Sequence, residues 1–235
     1  MNKITIYTCA WKRPKILDLC LKNWTGLKPR PHIVVIGSIG DECQEVAEKW
    51  GVDYCQRPNK PLGNKFNEGC RRAKDTADYY MIMGSDDLIS QKMWDFYQKF
   101  EGDFLGLLDY YFYDTRKKAL ILWNGYPELK NGNSKHSKFG RPIGAAKMLS
   151  HKAMEAINWE PFKPDREVSL DHDVDNKIIA AGIKMTCVRQ PETGGMSLDL
   201  KSGFNMHSFK LFKNSVNVNV LKIKEIAPDL AELLS

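Results

Sequence analysis

The chain has 235 residues, of which 43% are hydrophobic and 27% charged, and this is the composition of an ordinary globular domain with room for a sizeable core. No apolar stretch approaches the roughly 20 residues that a membrane-spanning helix needs, and residues 1–7 predict a strand and not a signal peptide. The net charge of +6 is compatible with phosphate-bearing ligands, a membrane surface or nucleic acid, and it does not decide among them.

The first half of the chain alternates predicted strands and helices. The strands are Lys3–Thr8, His32–Ile36, Val52–Cys55 and Tyr79–Met83. The helices are one that starts near Pro14 and buries Ile16, Leu17, Cys20, Leu21 and Trp24, one over about Glu42–Trp50, and one over about Asn64–Lys74. This β-α-β-α order predicts an α/β fold whose mainly parallel sheet is covered by helices on both faces.

The second half is less regular. The predicted strands are Asp103–Tyr113, Ala119–Trp123 and Ile183–Val188, and the predicted helices are Met93–Phe100, Ala145–Ile157, Val174–Ala181 and a tail over about Val218–Leu234 interrupted near Pro228. Residues 126–142 are polar and basic, which predicts a mobile loop that is either a solvated excursion or a functional lid. Residues 191–204 are predicted to be turn-like because they are rich in glycine.

Six cysteines are scattered along the chain, and no two of them form a C-x-x-C pair. Several lie in apolar surroundings. We therefore expect reduced, buried thiols in a cytoplasmic protein, and neither a disulfide framework nor a zinc site.

Two adjacent acids follow the fourth predicted strand directly, in the sequence Gly84-Ser85-Asp86-Asp87. The carboxyl end of a central strand is where α/β folds bind ligands. Neighbouring carboxylates repel one another, and a divalent cation relieves that repulsion because hard cations prefer oxygen ligands. The alternative is that the pair caps the helix that starts near Ser90.

Three further patterns precede or open predicted helices. Thr8–Pro14 joins the first strand to a helix amino terminus, a natural anion site, and it includes the bases Lys12 and Arg13. Asn59–Gly69 opens the third helix with donors from Lys65 and Asn67, but it has no G-K-[ST] and is not a P-loop. The third pattern, Leu170–Asp175, places three alternating acids at a helix start, as caps or as a source of a general base.

Taken in order, these patterns resemble the GT-A glycosyltransferases, and within them the large inverting family 2. Thr8–Pro14 is similar to the family's nucleotide-contacting first loop, and Pro61–Gly69 followed by Ala73 is similar to its G-x-x-x-x-N-x-G element. Gly84–Asp87 is similar to the family's D-x-D-D metal element. Leu170–Gly182 is similar to its E-D element and the helix that follows that element. The resemblance runs from Ile4 to about Val188.

The resemblance implies a GT-A (Rossmann-like) fold and one glycosyltransferase domain over residues 1–200. The nucleotide-sugar half would span about residues 1–90 and the acceptor half about residues 91–200, with a helical tail at residues 201–235 packing on the same domain. The implied activity is hexosyl or pentosyl transfer from a nucleotide sugar to an acceptor hydroxyl, with inversion at the anomeric carbon.

The resemblance also implies roles for individual side chains. Asp86, supported by Asp87, would hold Mn²⁺ or Mg²⁺ against the donor diphosphate, and His207 is a further candidate ligand to that metal. The implied donor-binding residues are Thr8, Arg13, Lys65, Asn67, Ser85 and Asp86. Asp171 is the implied catalytic base, and Asp173 is the alternative if the alignment shifts.

Three positions depart from the family pattern. Gly84 stands where the metal element usually has its first acid, and Leu170 replaces the Glu of the E-D pair. The second strand normally ends in Asp residues that read the nucleobase, and here Val35–Ser38 occupies that place. These departures leave open the nucleobase, and they leave a degenerate GT-A domain that only binds a ligand as one alternative.

A sugar-phosphate nucleotidyltransferase is a second alternative, although Thr8–Pro14 lacks the glycines expected of its first loop. For a glycosyltransferase, the acceptor is either a saccharide or lipid-linked precursor or nucleic acid. Residues 130–141 and the lysine-rich tail after residue 200 are the segments predicted to contact a membrane surface or DNA, without an integral membrane segment.

Overall fold

The computed structural model describes residues 1–128, 138–168, 170–202 and 214–235. The predicted alternation of the first half is confirmed. It comprises β1 (Ile4–Cys9), α1 (Pro14–Gly26), β2 (His32–Ser38), α2 (Cys43–Lys49), β3 (Asp53–Arg57), α3 (Leu62–Ala73) and β4 (Tyr79–Ile82). Pro14 opens α1 as predicted, because its fixed φ suits the first helical turn, where a backbone N–H has no partner within the helix.

The second half contributes more strands than the sequence predicts. Its elements are β5 (Asp87–Ile89), α4 (Gln91–Gln98), β6 (Phe104–Leu107), β7 (Tyr110–Asp114), β8 (Ala119–Trp123), β9 (Lys147–Ser150), α5 (His151–Ala156), α6 (Leu170–Ala180), β10 (Thr186–Val188), α7 (Gln190–Thr193), β11 (Ser197–Lys201), β12 (Ser215–Val218), α8 (Lys222–Ile226) and α9 (Pro228–Leu234).

The central sheet has the strand order β10-β6-β9-β4-β1-β2-β3, and only β9 runs antiparallel to its neighbours. The chain moves from β1 outward to β2 and β3, and then returns to place β4 on the other side of β1. The order therefore reverses at β1 and β4, and doubly wound sheets bind ligands at the carboxyl ends of the strands where such a reversal occurs.

Helices cover both faces of this sheet, as predicted, because successive strand residues point to opposite faces. On β1, Ile6 packs with α1 and α2, whereas Tyr7 packs with α3 and α6. On β2, Val35 and Ile36 divide in the same way. The central strands of the sheet are therefore buried on both sides.

A second sheet has the order β12-β8-β7-β11-β5. Strand β5 leaves the end of β4 and pairs antiparallel with β11, and in that register Asp87 lies directly opposite Asp199. Strand β11 also runs parallel to β7. The second sheet thus brings a late segment of the chain to the carboxyl edge of the first.

Three predictions of secondary structure are wrong. The predicted strand Asp103–Tyr113 is two strands in different sheets, and the break occurs where Leu108 N donates to Val188 O and the Asp109 carboxylate accepts from Gln190 N. The first residues of the predicted helix Ala145–Ile157 instead form β9 between β4 and β6.

The helix that follows β9 starts only after Ser150, whose hydroxyl accepts a hydrogen bond from Ala153 N. The third wrong prediction concerns residues 191–204, which are predicted to be turn-like and instead contain most of α7 and all of β11. The tail has its two predicted helices on either side of Ala227, and it also contains β12, which pairs with β8.

None of the helices in the described ranges is both long enough and apolar enough to cross a membrane.

Candidate active site

Three carboxylates meet where the two sheets join. Asp86 and Asp87 follow the end of β4, and the pairing of β5 with β11 places Asp199 opposite Asp87. One ligand oxygen from each of the three residues lies within 4.8 Å of the others. Oxygen atoms at this spacing are suitable ligands for a hard divalent cation.

Asp87 is buried, with 1% of its surface exposed. Its Oδ2 accepts a hydrogen bond from Gly84 N at 2.6 Å, and its Oδ1 has no hydrogen-bond partner among the described residues. Burial, followed by the charges of Asp199 and Asp86, raises the pKa of Asp87 well above its ordinary value.

Asp199 is the member of the cluster that the sequence does not identify. Its Oδ2 accepts from Lys201 Nζ at 2.6 Å, and its Oδ1 also has no partner within the described part of the chain. Burial and the charge of Asp86 raise the pKa of Asp199 to about 7, although Lys201 opposes that rise. The alternation of Leu198 and Leu200 with polar residues is a strand signal that was available in the sequence, but the pairing with β5 was not.

Asp86 is joined to the loop between β1 and α1 through Arg13. The guanidinium donates from Nη1 to Asp86 Oδ2 at 2.7 Å and from Nη2 to Ser85 Oγ at 2.9 Å. The structure therefore brings together four of the predicted site residues: Arg13, Ser85, Asp86 and Asp87. Arg13 and Lys201 place two positive charges against three carboxylates.

The missing first acid of the metal element has a steric explanation. A Cβ atom on Gly84 would lie 2.7 Å from Asp87 Oδ2 and 2.8 Å from Asp86 Oδ1, both closer than real Cβ atoms approach such neighbours. A side chain at position 84 would therefore require the carboxylates of Asp86 and Asp87 to move from these positions. Asp199 supplies the third carboxylate from another strand.

Lys65 lies at the same edge of the sheet, under the ends of β1 and β2. It is buried, with 2% exposure, and its Nζ donates to Ala10 O at 2.6 Å and to Ser38 Oγ at 2.7 Å. Burial lowers its pKa. Thr8, on β1, is fully buried, and its hydroxyl has no partner in the described ranges.

Asn67 lies in a different environment from the other predicted donor-binding residues. It is fully buried, its amide donates to Phe162 O at 2.9 Å, and its Oδ1 accepts from Phe162 N at 3.1 Å. The start of α3 is likewise occupied, because Gly63 N donates to Arg166 O at 2.8 Å and Asn64 N to Pro164 O at 3.2 Å. These contacts pack the start of α3 against the segment before α6.

Asp171 lies in the first turn of α6, near the carboxyl end of β4. The link is Lys147 of β9, which pairs with Ile82 of β4 and donates from Nζ to Asp171 O at 2.7 Å. The Asp171 carboxylate is 22% exposed, and its Oδ2 accepts from Tyr126 Oη at 2.9 Å. Gly144 packs beneath it, since a Cβ there would lie 2.9 Å from Asp171 Cβ.

His172 does not form a hydrogen bond with Asp171. Its Nε2 lies 3.8 Å from Asp171 Oδ2, too far for a hydrogen bond, and burial lowers the pKa of the imidazole. The ring of His172 packs against Tyr126.

Asp173 points away from Asp171, because residues two apart on a helix lie on different faces. Asp173 is 4% exposed, and its Oδ2 accepts from Lys163 N at 3.3 Å and lies 3.7 Å from Arg166 Nε. Its contacts hold the segment before α6, so the geometry favours Asp171 of the two predicted bases.

A fully buried ion pair, which the sequence analysis does not predict, lies behind Asp171. Lys147 Nζ donates to Asp175 Oδ1, and neither side chain is exposed. Burial raises the pKa of Asp175 and lowers that of Lys147. The same ammonium bonds the Asp171 carbonyl, so the pair fixes the first turn of α6 to β9.

Two predicted features lie outside the described residues. They are His207, the candidate metal ligand of the tail, and residues 129–137, which include most of the predicted basic loop.

No protein-family model matches this chain, and no curated protein matches it. Its fold is similar to that of several solved structures. Residues 1–349 of TarS from S. aureus align with a TM-score of 0.56 and 13% identity over 84% of this chain and 57% of that one. The mannosyltransferase PcManGT from Pyrobaculum calidifontis, in complex with GDP-Man and Mn²⁺, aligns with a TM-score of 0.56 and 9% identity over 86% and 57%.

A third similar structure is the 4-diphosphocytidyl-2C-methyl-D-erythritol synthase from Anaerococcus prevotii, with a TM-score of 0.52 and 12% identity over 80% of this chain and 88% of that one. The chain therefore spans little more than half the length of TarS 1–349 and PcManGT, and most of the length of the synthase. The predicted GT-A, Rossmann-like fold is confirmed.

Proposed function

We propose that this GT-A chain is a metal-dependent glycosyltransferase that transfers a sugar from a nucleotide-sugar donor to an acceptor hydroxyl with inversion. The observation that carries the proposal is the cluster of Asp86, Asp87 and Asp199 at the carboxyl edge of the central sheet, against Arg13. PcManGT, which has a similar fold and was solved in complex with GDP-Man and Mn²⁺, supports the proposal of a metal-dependent glycosyltransferase.

The residues present fit a divalent cation. Asp87 Oδ1 and Asp199 Oδ1 are buried without hydrogen-bond partners in the described structure, which is a costly state for a carboxylate unless a cation binds there. Asp86, Asp87 and Asp199 would hold Mn²⁺ or Mg²⁺, with His207 as a predicted further ligand. The cation supplies charge neutralisation for the leaving nucleoside diphosphate.

Arg13 contributes a second positive charge for the donor. Its planar guanidinium is suited to phosphate oxygens, and its contacts to Asp86 and Ser85 hold it at the edge of the cluster. Lys65 acts beneath this loop, because its ammonium ties Ala10 to Ser38 and fixes the ends of β1 and β2 that border the donor crevice.

Asp171 is the proposed general base. It removes the proton of the acceptor hydroxyl as that oxygen forms a bond to the anomeric carbon, and the bond from that carbon to the donor diphosphate breaks on the opposite face. The nucleoside diphosphate leaves with the bonding electron pair. The partial exposure of Asp171 leaves its carboxylate accessible to an acceptor, whereas Asp173 is buried against Lys163.

Nucleotidyl transfer is the second candidate, and the similarity to the Anaerococcus prevotii synthase favours it. A nucleotidyltransferase of this kind would release pyrophosphate from a nucleoside triphosphate. The loop from Thr8 to Pro14 contains no glycine, which favours the glycosyltransferase.

The acceptor is proposed to be a saccharide or lipid-linked precursor, or else nucleic acid. Binding to a nucleic acid would weaken steeply with added salt, because phosphate contacts release counterions. Binding to a neutral saccharide acceptor would be nearly independent of salt, so a titration at two salt concentrations separates the two classes.

The test is a panel of nucleotide sugars incubated with the protein and Mn²⁺, read by thermal shift and by release of nucleoside diphosphate. We expect one donor to stabilise the protein and to be consumed. Asp86→Ala should abolish the Mn²⁺-dependent consumption without unfolding the protein, and Asp171→Asn should keep donor binding and lose transfer.

Asp95→Asn, a change at an exposed helix position outside the site, is the matched control and should behave as wild type. Release of pyrophosphate from a nucleoside triphosphate and a sugar phosphate would establish the second candidate. Full Mn²⁺-dependent activity of Asp86→Ala would refute the metal assignment.

A further inference from the structure

One hydrogen bond to the proposed base comes from outside its own helix. Tyr126 Oη donates to Asp171 Oδ2 at 2.9 Å, and the other carboxylate oxygen receives no hydrogen bond from a described residue. Lys147 holds the backbone of the same residue through its carbonyl. These two contacts fix the direction of the carboxylate and leave one oxygen available to an acceptor.

Tyr126 is itself held on several sides. Its ring packs edge-on against Trp123, with centroids 4.9 Å apart, and lies 6.0 Å from the ring of His172. Lys138 Nζ lies 5.2 Å from the centroid of the same ring. Burial and the neighbouring Asp171 raise the pKa of the phenol, so it remains protonated and continues to donate its hydrogen bond.

The sequence at the start of α6 explains why an external donor is needed. Leu170 stands immediately before Asp171 and packs against the hydrophobic core, so it offers no polar group to the carboxylate. His172, on the other side, lies too far from Asp171 Oδ2 to form a hydrogen bond.

We propose that Tyr126 is the positioning residue for Asp171: its hydroxyl orients the carboxylate so that the other oxygen faces the acceptor. This inference rests on the proposed function, because it takes Asp171 as the base. Tyr126 acts through Asp171 and not on the substrate, so its loss lowers the rate of the chemical step and leaves donor binding unchanged.

The test is Tyr126→Phe, which removes one hydroxyl and keeps the ring contacts. The assay uses a donor that the wild type consumes with Mn²⁺. For Tyr126→Phe we expect kcat to fall about 10- to 100-fold. The KM for the donor and the thermal midpoint should stay at wild-type values. The matched control is Tyr79→Phe, which removes a hydroxyl bonded to Gly102 O at the far end of β4 and should leave kcat unchanged.

The double variant Tyr126→Phe/Asp171→Asn identifies the route of the effect. The comparison uses the residual transfer rate of Asp171→Asn, measured at high enzyme concentration: if Tyr126 acts only through Asp171, adding Tyr126→Phe does not lower that residual rate. Two results would overturn the positioning role of Tyr126 and leave the proposed function standing. One is a wild-type kcat in Tyr126→Phe. The other is that Tyr126→Phe lowers the rate by the same factor in the wild type and in Asp171→Asn. A wild-type protein that consumes none of the donors would refute the proposed transfer reaction and the inference with it.

Discussion

The affinity for a divalent cation should depend on pH through Asp199. Burial and the charge of Asp86 raise the pKa of Asp199 to about 7, and a protonated carboxyl is a poor ligand. Cation binding therefore competes with a proton at this position. We expect Mn²⁺ to bind more tightly at pH 8 than at pH 6, and to displace a proton when it binds at pH 6, where Asp199 is mostly protonated.

The magnitude follows from the fraction of molecules in which Asp199 is ionised. With a pKa of about 7, roughly nine-tenths are ionised at pH 8 and roughly one-tenth at pH 6. The apparent affinity should fall about tenfold between these two values, or about 1.4 kcal/mol in binding free energy. In Asp199→Asn the affinity for Mn²⁺ at pH 8 should be lower than in the wild type. The change of that affinity with pH should be smaller, because the charge of Asp199, which raises the pKa of Asp87, is removed.

The assay is a titration of the protein with Mn²⁺ alone, by calorimetry or by the loss of the free-ion paramagnetic resonance signal, at pH 6, 7 and 8. Calorimetry in two buffers of different ionisation enthalpy counts the released proton directly. Asp95→Asn should retain the wild-type change in affinity. Equal affinity at pH 6 and pH 8, or the same change in wild type and Asp199→Asn, would refute this reasoning.

Three further outcomes are expected. Gly84→Ala should lower the free energy of unfolding by about 1–3 kcal/mol in urea, because its Cβ collides with two carboxylates, whereas Gly26→Ala, which meets nothing within 4 Å, should not. Lys147→Met should lower the free energy of unfolding by about 3–5 kcal/mol, because it leaves a buried charge on Asp175. The double variant Lys147→Met/Asp175→Leu should recover much of that stability, and an equal loss in the single and the double variant would contradict the pairing. Without a divalent cation, the wild type should lose stability relative to Asp199→Asn as the pH rises from about 4 to 7, because folded Asp199 keeps a proton that the unfolded chain releases. The free energies of unfolding in urea, measured for both proteins across this pH range, would contradict this if they changed in parallel.

The parts of the fold that depend on local sequence could be predicted. The alternating strands and helices of the first half follow from hydrophobic periodicity, and the carboxyl ends of β1 and β4 then place Arg13 and Asp86 at one edge of the sheet. The sequence distinguishes poorly between a short buried strand and a helix, which is why β9 was predicted as the start of a helix.

The parts that depend on pairing between distant segments could not be predicted. Asp199 belongs to the cluster only because of the register between β5 and β11, and Tyr126 bonds Asp171 although the two residues are 45 positions apart in the chain. The contacts of Asn67 are a further case, because its amide nitrogen and its Oδ1 both bond the backbone of Phe162, a residue 95 positions later in the chain.

The antiparallel pair that sets Asp87 opposite Asp199 has a thermodynamic consequence. The two residues lie far apart in the sequence, so the unfolded chain offers a cation no comparable site. A cation held by both of them stabilises the folded state by mass action, with about 2.7 kcal/mol at a concentration one hundred times its Kd. The second sheet should therefore show slower amide hydrogen exchange when Mn²⁺ is present, with the largest change in β5 and β11.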